Sequence, residues 1–353
     1  MITDAYPHRE KPHIAIPLHE EAKILNKIGQ LRVQTLIRTE KLRFGYRKYS
    51  WEGVEVEALE MPYRAGMGFI FLPLAVLLHF LLSLKNIIFF KPDAVILQMS
   101  LPHGLGYLPL SFFKKYVVIE RSSRILNAKG IFALPLKWAY KVYSVSKFHA
   151  QNIEKKLGVK VDGIVPNAIA TDIPSNGMEN RKGKFYKRII FVGRLDENKS
   201  PDLFINAAKI LKDYEFVLIG EAINEEYLKN LPDNVIYKGP LSNEEVLQEI
   251  YRSDILVSTS KYEASARVIA EALSMGKPVV WTYSGGPGDY LDEENSVLVK
   301  ERTPESLAKS ILEAYKKLDT GYFDSDTIRK KILDYAGPDR MIKVYKNILK
   351  SFK

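Results

Sequence analysis

Between Lys187 and Leu318, short apolar, β-branched runs alternate with segments whose apolar residues recur at helical spacing. The runs are KRIIFVG, EFVLIG, NVIYKG, DILVSTS, KPVVWT and SVLVK. Only KPVVWT is followed by a loop, YSGGPGDYL, instead of a helical segment. Strands this uniformly apolar need cover on both faces, and strand–helix alternation lays successive strands parallel. This half of the chain is therefore expected to form a doubly wound parallel sheet. Local signals mark the helix ends. Ser242-Asn243-Glu244-Glu245 is a capping box, Thr303-Pro304-Glu305 and Ser200-Pro201 are helix starts, and Met275-Gly276-Lys277-Pro278 is a stop.

Open parallel sheets bind ligands beyond the C-terminal ends of their strands, so the polar residues there are the candidates. After DILVSTS, Glu263 stands on a loop, and Glu271 follows about two turns into the next helix. Carboxylates accept hydrogen bonds from sugar hydroxyls, and free backbone N–H groups at a helix start hold phosphate. After KRIIFV, Gly193 breaks the strand and opens the backbone to close approach. Arg194 and Lys199 flank the turn into the next helix, where two cations suit a diphosphate. Each feature alone describes an ordinary surface charge. Their coincidence at two strand ends is the signal.

Together these stretches resemble the donor half of the family-4 retaining glycosyltransferases of the GT-B fold (glycosyl transferases group 1). FVGRLDENKSPDLFINAAKIL resembles that family's strand, Gly-Arg turn and downstream lysine, and FVLIGEA its next strand and glycine turn. NVIYKGPLSNEEVLQEIYRSDILVSTSKYEASARVIAEALSMGKPVV resembles its base-binding loop and Glu-x7-Glu element. KVYSVSKFHAQNIEKKLG and IVPNAIATD resemble the end of its acceptor domain. The likeness is close over roughly residues 140 to 320 and loose before that.

The resemblance implies an α/β, GT-B fold: two Rossmann-like doubly wound domains facing across a cleft. It implies an acceptor-binding domain over 1–175, with a C-terminal helix over 338–353 packing back on it, and a donor domain over 176–337. The polar stretch 176–187 would link them. By the same resemblance Arg194 and Lys199 neutralise the departing diphosphate, with Gly193 beside them, and Glu263 contacts the transferred sugar. Glu271 takes the ribose, the Ser265, Ala266 and Arg267 amides lie near sugar and phosphate, and Lys238-Gly239-Pro240 meets the base. On the acceptor side Glu120-Arg121 stands where the family often has a histidine, with Arg124 and His103 as further candidates. Retention of configuration, a nucleotide-diphosphate sugar as substrate, a glycan or lipid-linked acceptor, no cofactor and no metal are implied with it. Ala264-Ser265-Ala266 departs from the family's Gly-Phe-Gly, and the crossover Asn167-Ala168-Ile169-Ala170-Thr171 lacks its usual glycine and aspartate. A nucleotide-sugar epimerase and a catalytically silent binding scaffold are the competing readings. The spacing of Arg194, Lys199, Glu263 and Glu271 favours transfer over epimerisation.

Composition bounds the rest. The 353 residues suffice for two domains, and 46% apolar with 27% charged residues is ordinary for a globular protein. The absence of cysteine excludes disulfides and thiolate chemistry. A net charge of +10 calls for an anionic partner, a nucleotide-sugar or a membrane surface. No basic repeat is interleaved with aromatics, so nucleic acid is not expected. The polar, proline-containing start is unlike a secretory leader, so a cytoplasmic location is expected, peripheral at the inner face of the membrane. The run GMGFIFLPLAVLLHFLLSL over 66–84 has no formal charge, and Pro73, His79 and Ser83 argue for a core or membrane-docking helix over a spanning one. Only Met1-Ile2-Thr3 precede the first loop, which means a shortened start or a minimal first strand. The loop His8-Arg9-Glu10-Lys11-Pro12-His13 is expected to offer positive charge to a ligand. Asp324-Ser325-Asp326 is read as a helix-flanking segment rather than a metal pair.

Overall fold

The structure, a computed structural model, describes residues 1–11, 14–39, 44–62, 68–169 and 187–352. The chain divides into two compact units, Met1–Ala168 with Pro338–Lys353, and Ile169–Gly337. Lys187 apart, the linker expected over 176–187 lies outside the described residues, as do Pro12, His13, Ala170 and Thr171.

The first unit holds β1 (Ile2–Thr3), β2 (Arg32–Thr39), β3 (Gly45–Trp51), β4 (Val54–Pro62), β5 (Val95–Gln98), β6 (Tyr116–Glu120), β7 (Lys141–Ser144) and β8 (Gly163–Ile164). Its helices are α1 (Ile16–Ile28), α2 (Gly68–Phe89), the short α3 (His103–Tyr107) and α4 (Leu134–Lys137), and α5 (Lys147–Leu157). The strand order is β3-β4-β2-β1-β5-β6-β7-β8. All neighbours are parallel except β3 and β4, an antiparallel hairpin at the edge. β1 pairs on both sides despite its two residues: Ile2 registers with Gln34 on one side and Leu97 on the other, and Thr3 with Gln98. Two residues suffice at the centre of the sheet because longer strands flank them on both sides.

The uncharged run forms most of α2, which continues beyond it from Lys85 to Phe89; Gly66 and Met67 lie outside the described residues. This helix is long and apolar enough to cross a bilayer, yet its pattern is inverted. His79 and Ser83 are buried along with Ala75 and Leu82, while Leu77, Leu81 and Ile88 are exposed. The sheet meets part of this inward polar face: the Gln34 amide donates to Ser83 Oγ at 2.8 Å and to the His79 carbonyl at 3.1 Å, while the His79 ring nitrogens are buried without a hydrogen bond among the described residues.

The second unit holds β9 (Arg188–Val192), β10 (Glu215–Ile219), β11 (Val235–Gly239), β12 (Ile255–Ser258), β13 (Val279–Thr282) and β14 (Ser296–Val299). Between and after them run α6 (Pro201–Ile210), α7 (Asn243–Tyr251), α8 (Arg267–Ser274), α9 (Pro304–Asp319) and α10 (Ser325–Ala336). Each strand lies where its apolar run predicts, all pair in parallel, and the order is β11-β10-β9-β12-β13-β14. Counted within the unit this is 3-2-1-4-5-6, which reverses direction between β9 and β12, the place where such sheets bind ligands. The last helix, α11 (Pro338–Lys350), belongs to the first unit and packs on α1.

The helix starts are mostly as expected. Ser242 and Glu245 form the full capping box of α7, and Thr303 Oγ1 accepts from Ser306 N at 3.2 Å. Asp324 caps α10 through Thr327 N at 2.8 Å, a structural use of that carboxylate. Ser200 differs. It precedes Pro201 but takes a left-handed backbone (φ 47°) and makes no cap bond, because its hydroxyl donates backward to the Glu197 carbonyl at 3.0 Å.

Candidate functional site

The turn after β9 and the loop after β12 meet at the reversal of strand order. They are joined at several points. Lys261 N donates to the Asn198 carbonyl at 2.7 Å, the Asn198 amide donates to the Tyr262 carbonyl at 3.1 Å, and the Thr259 hydroxyl lies 2.7 Å from the Lys199 carbonyl. These links bring Lys199 and Glu263, remote in sequence, into a direct ion pair. Glu263 is fixed by its backbone as well: its N–H donates to the Ser284 carbonyl at 2.7 Å, and its carbonyl accepts from Gly286 N at 2.9 Å. A Cβ on Gly286 would lie 2.1 Å from the Ala264 carbonyl oxygen, so only glycine permits this approach.

Arg194 stands at the mouth of the same turn, 67% exposed on its side chain, 3.2 Å from Asp196. Asp196 in turn accepts from Lys199 N at 2.9 Å. Gly193 does not have the crowded surroundings its place in the turn suggests: a Cβ there would meet only the Lys199 stem, at 3.4 Å. The crowded glycine is its neighbour Gly220 (φ +141°), where a Cβ would fall 1.9 Å from the Gly193 carbonyl oxygen. Gly220 was visible in the sequence as the end of FVLIG, but its contact across to β9 was not.

Ser265, Ala266 and Arg267 lead into α8. Ala266 is the N-cap and offers no side-chain acceptor, so the first N–H groups of the helix lack a side-chain partner. Glu271 lies little more than one turn into α8, not two, because the helix begins at Arg267. It is nearly buried, 3.0 Å from Arg267 Nε, and burial raises its carboxyl pKa despite that cation. Arg267 also reaches Asn243 at the start of α7. Gly239 aligns with Ile219 at the end of β11, its carbonyl accepting from Gly220 N at 2.9 Å, and Pro240 follows. The Lys238 side chain turns the other way, 2.8 Å from Glu249, which also holds Arg188 at 2.7 Å.

Arg302, not singled out in the sequence, ties the site together. Its guanidinium donates to the Ser260 and Thr259 carbonyls at 3.1 and 2.6 Å, to Thr282 Oγ1 at 2.7 Å and to Ser200 Oγ at 3.2 Å. One side chain thereby fixes the ends of β12 and β13 and the start of α6. In the sequence, Lys300-Glu301-Arg302 is only a charged loop.

In the first unit Arg124 is exposed, whereas His103, Glu120 and Arg121 point into the interior. His103 is fully buried, 2.7 Å from the Met99 carbonyl through Nε2, and burial holds its pKa below the usual histidine range. Glu120 is buried and accepts from Ser100 Oγ at 2.5 Å and from Ser122 N at 2.9 Å, and burial pushes its carboxyl up. Arg121 pairs with buried Glu21 at 2.6 Å, donates to Gln98 Oε1 at 3.0 Å and reaches Asn167. All three carry structural bonds. Glu10 is tied up within the loop from His8: His8 is buried against it at 2.8 Å and it also takes Arg47 at 3.0 Å, while Arg9 and Lys11 stay exposed. Both partners hold the Glu10 carboxyl down to about 2. Among the described residues no group of three acidic or histidine side chains could hold a metal ion.

Comparison with known proteins agrees with this layout. Residues 186–317 match the family model described as Glycosyl transferases group 1. An uncharacterized 41.2 kDa protein in the cps region of Klebsiella pneumoniae is 25% identical over 235 residues, which is 57% of this chain and 63% of that protein. The chain spans about half the length of the next curated relatives it matches. Among solved structures, sucrose-phosphate synthase from Thermosynechococcus elongatus superposes with a TM-score of 0.76 at 15% identity, covering 99% of both chains. HepE from Anabaena, in complex with UDP and glucose, gives 0.71 at 15% identity, covering 99% of this chain and 98% of its own. The fold shared with these structures is GT-B, two α/β units with parallel sheets.

Proposed function

Since residues 186–317 carry a glycosyl transferases group 1 domain within a GT-B chain, we propose that this protein is a retaining glycosyltransferase that moves a sugar from a nucleotide-diphosphate sugar to a glycan or lipid-linked acceptor. The observation that carries the reading is the Lys199–Glu263 ion pair at the reversal of strand order, beside the α8 start that lacks a side-chain cap.

In transfer, the bond from the sugar's anomeric carbon to the diphosphate breaks, a bond to an acceptor oxygen forms on the same face, and the acceptor hydroxyl's proton passes to the departing diphosphate. Negative charge grows on the leaving diphosphate. Lys199 and Arg194 stand to neutralise it, and the amides at the start of α8 aim at the same charge, which is electrostatic catalysis by pre-placed groups. Lys199 is held by Glu263 in the free site. Glu263, freed as Lys199 turns to phosphate, accepts from a hydroxyl of the transferred sugar. Glu271, buried beside Arg267, accepts from the ribose. Gly239 and Pro240 bound the base through their backbone. The residues present need no cofactor in these roles, and the anionic partners account for the net charge of +10. An anionic membrane surface at the cytoplasmic face is a further expected partner.

A thermal-shift panel of UDP, GDP, ADP, dTDP and CMP, then of their sugars, tests the donor site. UDP is the first arm, since a protein of the same fold binds it. A ligand at about a hundred times its dissociation constant adds about 2.7 kcal/mol, so one nucleotide family should raise the melting temperature by several degrees. Lys199→Ala and Glu263→Ala should each cut transfer by about a hundredfold or more with the fold intact. Sugar-nucleotide consumption without acceptor would favour an epimerase. Silence across the panel would favour a scaffold.

A further inference from the structure

In a parallel sheet the segments that lead into the strands all emerge at one edge, opposite the edge where ligands bind. In the first unit that starting edge carries an unusual surface. The segments before β5, β6 and β7 expose Phe89, Phe112, Phe113, Trp138 and Tyr140, with Phe112 and Phe113 at 77% and 82%. Two ring pairs lie within the patch: Phe112 meets Trp138 edge-on at 5.8 Å, and Tyr140 meets Phe352 at 6.2 Å, with Lys115 over the Tyr140 ring.

Phe352 also lines a cavity of about 700 Å³ that opens at this edge. Leu25, Ile28, Leu31, Phe90 and Leu349 supply apolar walls. Several polar groups of the lining already have partners. Gln34 donates to Ser83, Asn86 donates to Gln34 at 3.3 Å, and Arg32 is paired with Glu55 at 3.1 Å. Four lysines complete the lining, Lys91, Lys114, Lys346 and Lys350, against one acid, Asp93. Among the described residues none of the four has an acidic partner. A ligand that matches this site has an apolar body and an anionic end.

We propose that this edge docks on an anionic bilayer and that the cavity takes an acyl chain of one of its lipids. Two features select a bilayer over a free amphiphile. The exposed aromatics extend well beyond the cavity mouth, where a single chain could not cover them. They are also interspersed with lysines, the pairing that holds proteins at lipid headgroups. The docking surface is thus the C-terminal end of α2 and its neighbours, not the whole uncharged run. This inference stands apart from the donor-site reading.

The test uses the full chain and no nucleotide, so its failure would leave the donor site untouched. The protein should sediment with mixed phosphatidylglycerol–phosphatidylcholine vesicles, release in high salt, and ignore pure phosphatidylcholine. Phosphatidylglycerol with brominated chains should quench Trp138 emission, and that quenching should vanish in Trp138→Phe. Phe112→Ser with Phe113→Ser, both on the surface, should weaken vesicle binding by roughly tenfold or more at an unchanged melting temperature. After vesicle removal, native mass spectrometry should find one phosphatidylglycerol per chain, absent in Ile28→Trp or Leu349→Trp. Equal binding to neutral vesicles, or none to anionic ones, would overturn the proposal. Vesicle binding without Trp138 quenching would place another face on the bilayer and overturn it too. Retained lipid in both filled-cavity variants would remove the cavity from it. A concentration-dependent dimer that the Phe112/Phe113 variant dissolves, with no vesicle binding, would assign the face to a second copy instead.

Discussion

In the second unit both faces of the sheet are covered by one continuous apolar cluster that runs from Ile189 through Phe204, Val257 and Leu273 to Ile332. The first unit has the same strand order around its switch point, yet its apolar core is broken into separate clusters. Ionisable groups fill the gaps. His8, His19, Glu21, Glu57, Glu60, His79, His103, Glu120 and His149 are buried there, against Glu249 and Glu271 in the second unit. The difference teaches where stability resides. The second unit rests on non-directional burial and gathers its polar residues at strand ends, where Lys199 pairs with Glu263 and Glu271 with Arg267. In the first, directional pairs hold the interior, so candidate acceptor residues such as Arg121 and Glu120 are already committed.

The largest expected effect follows from that contrast. Arg121→Ala strips fully buried Glu21 of its cation, leaving the Tyr345 hydroxyl and the Gln98 amide as its side-chain partners. Breaking a buried pair by removing one partner costs about 3–5 kcal/mol, and urea denaturation should show it. Replacing both partners, Glu21→Leu with Arg121→Met, should recover most of the loss, because an apolar pair of similar volume is often no worse than the ion pair. Donor nucleotide affinity should survive in the fraction that stays folded. If Arg121→Ala costs less than 1 kcal/mol, the contrast between the two interiors fails.

Acid is the next probe. All six histidines of the sequence lie in the first unit. Burial depresses the His149 pKa from 6.5 to about 4. The unfolded chain therefore binds a proton that the folded one refuses. The neutral ring's contribution is whole above pH 6.5 and is lost as pH falls from 6.5 toward 4, by about 3 kcal/mol in total. Glu21 and Glu120 have carboxyl pKa values raised by burial and act with the opposite sign. The clean measurement is therefore the stability difference between wild type and His149→Leu, followed from pH 7 to pH 4. A difference that does not vary with pH would contradict the burial argument.

The same contrast explains what the sequence discloses. The strands of the second unit are legible because most of them are apolar on both faces, the edge strand β11 excepted, and its helix caps are local. The strand-end positions of Lys199 and Glu263 follow from chain order, but their ion pair, a contact across distant segments, does not. Gly220 and Arg302 are not legible, since their roles rest on contacts between segments far apart in the sequence. The first unit is harder to read throughout. α2 hides His79 and Ser83 and shows Leu77 and Leu81, so hydrophobicity points to the wrong face. The charges of the loop from His8 look available in sequence, and only the fold brings Arg47 to Glu10.

Arg302 sets a middle-sized expectation. Arg302→Lys keeps the charge and loses the fork that bonds four oxygens. A loss of about 1.5–3 kcal/mol in stability is expected, and nucleotide affinity should fall with it because the Lys199 turn and the Glu263 loop come loose together. Unchanged affinity in a destabilised protein would separate Arg302 from the site and leave it a purely structural residue.

The smallest effects come from two helix starts, one in each unit. The α7 start is the legible one: Ser242 Oγ accepts from Glu245 N at 3.3 Å, and Glu245 reaches back to Ser242 N at 2.8 Å. Ser242→Ala should cost about 1 kcal/mol, and Glu245→Ala should add less than its own separate cost because the two bonds form one unit. At the start of α1 the N-cap is Ala15, in a left-handed conformation (φ 52°) without a side-chain cap. A side chain there opposes the backbone it sits on, so Ala15→Gly should stabilise, by about 0.5–1 kcal/mol. Opposite signs in the two variants would show that the α1 start carries a local conflict, of the kind Ser200 also carries at α6, that the α7 start does not. If both destabilise, the Ala15 methyl packs usefully enough to outweigh its backbone strain, and the two units resemble each other more at their helix starts than in their cores.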